Sequence, residues 1–186
     1  MKNLKHLFKR LTFGIVLTSM PLIGGCGENT LTWTEEVKLL DGRVITVTQK
    51  RRISPNGRMP REAWLTFKLP EFGDKEIVWH ENLETQVLNV YQGKLYVVGI
   101  PFIEETYRQY GRPYPEYVPY RYEEEQWKRI PFNEIPVEIY NTNMYFENMT
   151  LYKLTHVSLL YKENMLKEEG YVDGQRRLSP TFKTPH

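Results

Sequence analysis

The stretch TWTEEVKLLDGRVITVTQK, residues 32–50, decides the fold, because it places two β-forming runs on either side of a tight-turn signal. Asp41-Gly42 is among the dipeptides that favour a two-residue hairpin turn. After the turn, residues 44–48 read Val-Ile-Thr-Val-Thr. Since successive strand side chains point to opposite faces, this alternation gives one apolar and one polar face. The stretch predicts an antiparallel hairpin that is buried on one side.

Further strand signals recur at short intervals along the chain. Gln92-Gly93 separates two β-forming runs and predicts a second hairpin, and three glutamates at 123–125 mark the turn of a third. The β-forming runs are residues 63–69, 76–80, 85–91, 94–99, 117–122 and 126–130. Their spacing predicts a mainly β domain of antiparallel hairpins, arranged as a sandwich-like or curled sheet rather than a parallel α/β fold.

One or two short helices near the C-terminus complete the predicted fold. Residues 133–140 favour one or two helical turns with Asn133 as a cap. Residues 162–169 favour a helix that ends at Gly170. The predicted core consists of the apolar and aromatic residues on the inward strand faces: Trp33, Val37, Val44, Val47, Trp64, Phe67, Trp79, Val90, Tyr96, Val98 and Trp127.

The N-terminus has the pattern of a secretory signal peptide at residues 1–25. Four basic residues and no acidic one lie in the first ten positions, and an apolar stretch of 13 residues, 11–23, follows them. As a helix this stretch covers about 20 Å, at ~1.5 Å per residue, whereas the hydrocarbon layer of a bilayer is ~30 Å thick. A membrane-spanning helix is therefore disfavoured, and the apolar region of a signal peptide is favoured.

The end of that stretch, Ile23-Gly24-Gly25-Cys26, resembles the lipobox of bacterial lipoproteins. In that family the cysteine thiol receives a diacylglyceryl group, the chain is cut before the cysteine, and the new amino group is usually acylated. Three acyl chains exceed the two signals that stable membrane attachment requires. Gly27, in place of aspartate, implies the outer membrane by the sorting rule of enteric bacteria. The alternative is an ordinary signal peptide with a chance cysteine.

The segment from residue 32 to residue 99 also resembles an uncharacterised group of Gram-negative lipoproteins. The resemblance lies in WTEEV (33–37), DGRVI (41–45), EAWLT (62–66), IVWH (77–80) and GKLYVVG (93–99). That group has no assigned activity. The resemblance therefore implies a lipoprotein localisation and nothing about mechanism.

Removal of the signal peptide changes the charge of the chain. The full sequence has 25 basic and 23 acidic residues, of which 21 and 23 follow position 25, a formal charge of −2. Overall charge therefore gives no support to nucleic-acid binding, and with Cys26 as the only cysteine no intrachain disulfide is predicted. We expect a lipidated cysteine and short tether at 26–31, one globular β-rich domain at 32–175, and an extended or disordered tail at 176–186.

Residues for catalysis or metal binding are few. His80 and His156 are 76 positions apart, and the sequence has no H-x-x-x-H, H-E-x-x-H or Cys/His cluster. It also has no G-x-S-x-G nucleophile motif and no Gly-rich phosphate loop. The sequence therefore predicts no cofactor, no metal and no catalytic residues. An enzyme with an unrecognised site would need polar groups clustered in a pocket around these two histidines.

Tyrosine, proline and arginine are concentrated between residues 107 and 122. The candidate binding residues there are Tyr107, Arg108, Tyr110, Arg112, Tyr114, Tyr117 and Tyr120. Proline favours extended geometry, so this segment could present rings and guanidinium groups outward, where tyrosine and arginine often dominate binding. The alternative is a loop whose tyrosines fold back over the sheet as a small second core.

Three classes of function remain open. The first is a non-enzymatic envelope lipoprotein, anchored at Cys26 on the periplasmic side of the outer membrane, that binds a protein partner through residues 107–122. The second is a module that binds a glycan such as peptidoglycan. The third is an enzyme with an unrecognised site. The sequence favours the first class.

Overall fold

The computed structural model describes residues 29–54, 60–145, 155–170 and 176–183. The predicted signal peptide, the lipobox and Cys26 lie outside these residues. The strands are β1 Asn29–Lys38, β2 Val44–Ile53, β3 Pro60–Phe67, β4 Ile77–Glu81, β5 Leu83–Tyr91, β6 Lys94–Pro101, β7 Val118–Glu123, β8 Gln126–Arg129 and β9 His156–Val157. The helices are α1 Glu104–Gln109 and α2 Leu159–Glu168, with 3₁₀ turns at Pro70–Phe72, Phe132–Glu134 and Val137–Ile139.

The strands form two sheets, which confirms the predicted mainly β fold. One sheet has the order β4-β3-β2-β1-β9, and the other has the order β5-β6-β7-β8. All neighbouring strands are antiparallel except β1 and the short β9. The three predicted hairpins are present as β1–β2, β5–β6 and β7–β8. In the third, Glu124 and Glu125 both have positive φ, as a tight hairpin turn requires.

Side chains from both sheets fill one apolar core between the layers. Its fully enclosed members include Val37, Val47, Leu65, Trp79, Leu83, Leu88, Leu95, Val97 and Val118. Each large apolar side chain buried there stabilises the fold by about 1.5–3 kcal/mol. Two predicted core residues are wrong: Val44 is 51% exposed, and Trp64 points to the opposite face of β3 from Leu65 and stacks on His80. On β2 the odd-numbered positions face inward, so Val44 faces solvent.

The outer face of the four-stranded sheet carries a second apolar layer. It is covered by the 3₁₀ turns at 132–139 and by residues 178–182, which pack on Val87, Tyr96 and Val98. Helical turns between 133 and 140 are confirmed, although the residue that precedes the first turn is Pro131 and not the predicted cap Asn133. The extended segment after residue 176 packs on the domain, because Leu178 is buried and its N–H donates to the Tyr140 carbonyl at 2.8 Å.

The predicted C-terminal helix is present as α2. It begins three residues earlier than predicted because the Ser158 hydroxyl accepts a hydrogen bond from the Tyr161 N–H at 3.2 Å and caps the helix. The other helix, α1, overlaps the start of the tyrosine-rich segment and does not lie near the C-terminus. Among the described residues, no helix is both long enough and apolar enough to cross a membrane.

Buried polar and charged side chains continue the inward face of β1 and β2, from Glu35, which lies opposite Val47, to Arg51 farther from the β1–β2 turn. The Glu35 carboxylate is fully enclosed, and it accepts hydrogen bonds from Gln49 Nε2, the Tyr145 N–H and Lys162 Nζ. The last of these is an ion pair of 2.9 Å. Both carboxylate oxygens of Glu35 therefore accept hydrogen bonds. A buried charge is tolerated only when it is paired in this way.

A second buried ion pair joins the two sheets. Arg51 Nη2 lies 3.0 Å from Glu84 Oε1, and both side chains are only 3% exposed. The guanidinium also lies over the rings of Trp33 and Phe102, at 5.1 and 5.5 Å from their centroids. Burial raises the pKa of the Glu84 carboxyl, an effect that the charge of Arg51 partly opposes. We call Glu35, Gln49, Arg51, Glu84 and Lys162 together the charged end of the core.

Candidate functional site

A groove of about 600 Å³ lies between the segments 113–119 and 129–133. We call it the proline groove; its lining is Pro113, Tyr114, Pro115, Tyr117, Pro119, Arg129, Ile130, Pro131, Phe132 and Asn133. Four of these residues are prolines, which have no N–H to donate, and three are aromatic. The groove therefore offers mainly apolar, ring-shaped contacts and few hydrogen-bond donors.

The floor of the groove is held by stacked rings. The Tyr117 ring lies between Phe132 and Phe182, with centroid distances of 5.3 and 4.9 Å. Its hydroxyl accepts a hydrogen bond from the Ser179 N–H at 3.1 Å, and burial raises its pKa. The two walls are joined by the Ile130 N–H, which donates to the Pro119 carbonyl at 3.0 Å. The groove is thus set by packed side chains and backbone bonds.

Tyr114 and Arg129 form the accessible polar and aromatic part of the groove. The Tyr114 side chain is 70% exposed, the highest value among the large exposed hydrophobic residues of the described chain. The Arg129 guanidinium donates to the Tyr110 carbonyl at 2.8 Å and lies 5.7 Å from the centre of the Tyr110 ring. Within the described residues Arg129 forms no salt bridge, so its charge is positioned but not neutralised by a carboxylate.

The structure divides the predicted binding residues between groove, core and surface. Tyr114 and Tyr117 line the proline groove. Tyr120 is buried in the core against Trp79, with ring centroids 5.8 Å apart. The half-buried Tyr110 donates its hydroxyl proton to Glu81 Oε2 at 2.7 Å, and burial, the larger cause, and this bond both raise its pKa. The side chains of Tyr110 and Tyr120 therefore act in packing.

The remaining predicted residues lie on or beside helix α1. Tyr107 is half-buried, and Arg108 and Arg112 are exposed. Both arginines reach the carboxylate of Glu104, at 3.7 and 3.2 Å. Exposed ion pairs of this kind contribute at most about 1 kcal/mol. None of these three residues lines the proline groove.

The second wall of the groove was not predicted as part of a site. Arg129, Pro131, Phe132 and Asn133 follow the third hairpin, and they reach the tyrosine-rich segment because β7 and β8 pair. The available signal was the run Arg-Ile-Pro-Phe-Asn directly after a hairpin, in which an apolar ring follows a proline. That residues 129–133 lie beside residues 113–119 follows only from the register of β7 and β8, which the sequence does not show.

The two histidines do not meet. His80 lies on β4 and His156 on β9, the opposite edges of the five-stranded sheet, and four strand spacings of ~4.8 Å separate them by roughly 19 Å. His80 stacks on Trp64 at 4.4 Å, and His156 Nδ1 lies 2.9 Å from the Thr34 hydroxyl. Neither lines the proline groove. The described residues contain no group of three or more His, Cys, Asp or Glu side chains arranged to hold a metal ion.

Known proteins give no further guide to this geometry. Comparison of the chain with protein-family models, with curated proteins and with solved structures finds no match in any of the three. We therefore infer the function from the residues of the proline groove and from the N-terminal sequence pattern.

Proposed function

We propose that the protein is a non-enzymatic module of the bacterial cell envelope that binds a partner protein through the proline groove. Lipids on Cys26 anchor it to the outer membrane, and the domain faces the periplasm. The lipobox-like residues 23–26 and Gly27 support the anchor and the membrane. The spacing of His80 and His156, on opposite edges of one sheet, removes the support for a catalytic site shared by these two residues.

The composition of the groove carries the proposal. Its lining combines four prolines with Tyr114, Tyr117 and Phe132, and grooves lined by aromatic rings are known to bind extended proline-rich peptides. A polyproline helix is already extended before it binds, so little conformational entropy is lost. The partner segment that fits best is therefore proline-rich and extended. The unneutralised Arg129 favours an acidic residue in or beside that segment.

A glycan fits the groove less well. Sugar hydroxyl groups lose hydrogen bonds to water when they are buried, and the protein must replace them. Besides tyrosine hydroxyls, Arg129 and Asn133 are the polar side chains in the lining. Peptidoglycan binding therefore remains the second candidate.

A site-specific photocrosslinker at position 114 tests the proposal in living cells. The full precursor carries the crosslinker at 114 or, as a matched control, at the equally exposed position 160 on helix α2, where Leu160 is 66% exposed. We expect one envelope protein to be captured from position 114 and not from position 160. The same capture should fall in a Cys26→Ala precursor, because the domain would no longer be held at the membrane.

Two results would overturn the proposal. Identical captures from positions 114 and 160 would show that the partner protein does not contact the proline groove preferentially. Sedimentation of the protein with purified peptidoglycan, lost in Tyr114→Ala and unaffected in Leu160→Ala, together with no protein capture at 114, would assign the groove to a glycan.

A further inference from the structure

A second cleft, of about 520 Å³, lies beside helix α2 and shares no lining residue with the proline groove. We call it the helix cleft. It is bounded by α2, by the end of β1 and by residues 141–145, and Gln86 and Lys162 belong to its lining. Its volume falls within the ~300–1,000 Å³ that small-molecule sites occupy. The cleft is therefore large enough for a ligand of its own.

The position of Gln86 in this cleft results from an irregularity in β5. The β5–β6 register runs from Thr85–Gly99 directly to Val87–Val98, so Gln86 is an extra residue, a β-bulge. Bulges of this kind redirect a side chain away from the regular alternation and are frequent next to binding sites. The Gln86 carbonyl accepts the N–H groups of Asn143 and Met144, at 3.2 and 3.3 Å. These two backbone bonds hold the bulged residue against residues 143–144.

The side-chain amide nitrogen of Gln86 has no hydrogen-bond partner among the described residues. The residue is only 5% exposed, and its Nε2 is buried without a hydrogen bond to any described residue. Buried amide donors are almost always paired, because an unpaired one loses its bonds to water without replacement. The lining of the helix cleft therefore includes an amide donor without a hydrogen-bond acceptor among the described residues.

Lys162 provides a second donor next to the first. Its ammonium donates to Glu35 Oε1 at 2.9 Å and to the Asn143 carbonyl at 2.7 Å. An ammonium group has three hydrogens, so one remains beyond these two bonds. Both Gln86 and Lys162 contact Asn143, Gln86 through the Asn143 N–H and Lys162 through the Asn143 carbonyl. Both residues therefore lie beside Asn143, Gln86 through its main-chain carbonyl, and both belong to the lining of the cleft.

Apolar side chains form one part of the cleft wall. Met144, Leu159, Met165 and Leu166 contribute to the lining, and methionine adapts readily to flexible linear ligands. Besides Lys162, the lining includes three cationic and three anionic side chains: Lys38, Lys167, Arg176, Glu138, Glu163 and Glu169. The charges of these six side chains balance. Selection therefore depends on the apolar side chains and the two donors.

The geometry points to the helix cleft as a binding site for an acyl chain that ends in a carboxylate or carbonyl group. The oxygen atoms of that group accept hydrogen bonds from Gln86 Nε2 and Lys162 Nζ, and the hydrocarbon chain packs along Met144, Met165 and Leu166. This site is independent of the proline groove. A free fatty acid and the acyl chain of a membrane lipid share this chemistry.

A titration with dodecanoate carrying ¹³C at its carboxyl carbon tests the site by NMR. The full chain is solubilised in CHAPS, a detergent without an alkyl chain, so that the detergent does not compete as an acyl ligand. We expect one saturable site per chain. Gln86→Leu should weaken binding at least tenfold and leave the fold intact, since Gln86 Nε2 has no partner to lose. Met165→Glu should weaken it at least tenfold by placing a charge on the apolar wall.

Matched controls separate this site from general hydrophobic binding. Leu160→Ala, on the exposed side of the same helix, and Tyr114→Ala, in the proline groove, should bind dodecanoate as the wild type does. Absence of saturable binding, or equal affinities for wild type, Gln86→Leu and Met165→Glu, would overturn the proposal. A monododecanoyl phospholipid distinguishes the sources: binding of the free acid alone assigns the site to fatty acids, and binding of both assigns it to membrane lipid.

Discussion

The inward face of the first two strands carries Val37 and Val47 near the β1–β2 turn. The same face carries Glu35, directly opposite Val47, and then Gln49 and Arg51 farther from the turn. Both regions follow the same alternation of faces, and both are almost completely enclosed. The apolar region is stabilised by removal of hydrocarbon from water, which needs no particular partner. The charged end depends on matched partners, because an unpaired buried charge is strongly destabilising.

The difference teaches that strand alternation determines which side chains are buried, whereas more distant parts of the chain determine whether a buried polar group is satisfied. The partner of Arg51 is Glu84, 33 positions away, and that of Glu35 is Lys162, 127 positions away. The charged end therefore joins helix α2 and both sheets, whereas the apolar end joins the sheets alone. Substitutions at the two ends should behave differently.

The largest effect is expected from Glu35→Ala at the charged end. It leaves Lys162 buried without its carboxylate and removes the acceptor for Gln49 and the Tyr145 N–H. Removal of one partner of a buried ion pair costs about 3–5 kcal/mol, measured as the free energy of unfolding in urea. Glu35→Ala combined with Lys162→Met should recover part of the loss. A loss below about 1 kcal/mol in Glu35→Ala would show that this pair is not buried in solution.

Leu65→Ala tests the apolar end in the same way. Leu65 is fully enclosed, and replacement of such a leucine by alanine costs about 2–5 kcal/mol, depending on how far the cavity collapses. The loss should be the same at low and high salt, since no charge is involved. Leu65→Met, which keeps the volume, should cost less than about 1.5 kcal/mol. Equal losses in the two variants would contradict close packing at this position.

The pH dependence of stability should have opposite signs at the two ends. Burial raises the pKa of Glu84 above its ordinary value of 4.5. The folded protein therefore holds this proton more tightly than the unfolded chain, so the stabilising contribution is present below about pH 4.5 and is lost as the pH rises through the folded-state pKa. Relative to Glu84→Gln, wild-type stability should fall over this range in urea titrations at a series of pH values. A rise in wild-type stability relative to Glu84→Gln would contradict the raised pKa of Glu84.

Two exposed carboxylates that contact Arg43, Asp41 in the β1–β2 turn and Glu71 in the 3₁₀ turn at Pro70–Phe72, should behave in the opposite way. Hydrogen bonds from Arg43, the largest cause in each case, lower the pKa values of Asp41 and Glu71. Their contribution is therefore present above the ordinary pKa and is lost as the pH falls through the lowered one. Because these side chains are about one-third to one-half exposed, Arg43→Ala should cost no more than about 1 kcal/mol at neutral pH, and less at pH 3. A larger loss of unfolding free energy in Arg43→Ala at pH 3 than at pH 7 would contradict the lowered pKa values of Asp41 and Glu71.

The smallest effect on stability is expected from Tyr114→Ala in the proline groove. The side chain is 70% exposed, and substitutions at such positions change the free energy of unfolding by no more than about 0.5 kcal/mol. Phe132→Ala should cost more, because that ring packs on Tyr117. A large destabilisation by Tyr114→Ala would show that this ring is part of the packing and not a free contact surface.

Sequence reasoning predicted the features that depend on neighbouring residues. Asp41-Gly42 and Gln92-Gly93 predicted two hairpins because tight turns need particular residue types at two adjacent positions. The helix before Gly170 was predicted for a similar reason, although the cap at Ser158 was missed. Val44 was misassigned to the core because a β-branched residue at the start of a strand fits either face.

The features that depend on distant contacts were not predicted. The buried charges Glu35 and Arg51 looked like ordinary polar residues until the structure placed Lys162 and Glu84 beside them. The tyrosine-rich segment was identified as a candidate site, but the burial of Tyr120 and the contribution of Phe132 depend on the register of β7 and β8. The Gln86 bulge has no local sequence signal.

The affinity of the full chain for a synthetic proline-rich peptide tests the central claim most directly. Isothermal titration with a decaproline flanked by aspartates is compared for wild type, Tyr114→Ala and Leu160→Ala. We predict saturable binding to wild type and to Leu160→Ala, and at least tenfold weaker binding to Tyr114→Ala, with unchanged unfolding free energies. No binding to wild type, or equal binding to all three proteins, would contradict the assignment of the proline groove as the partner-binding surface.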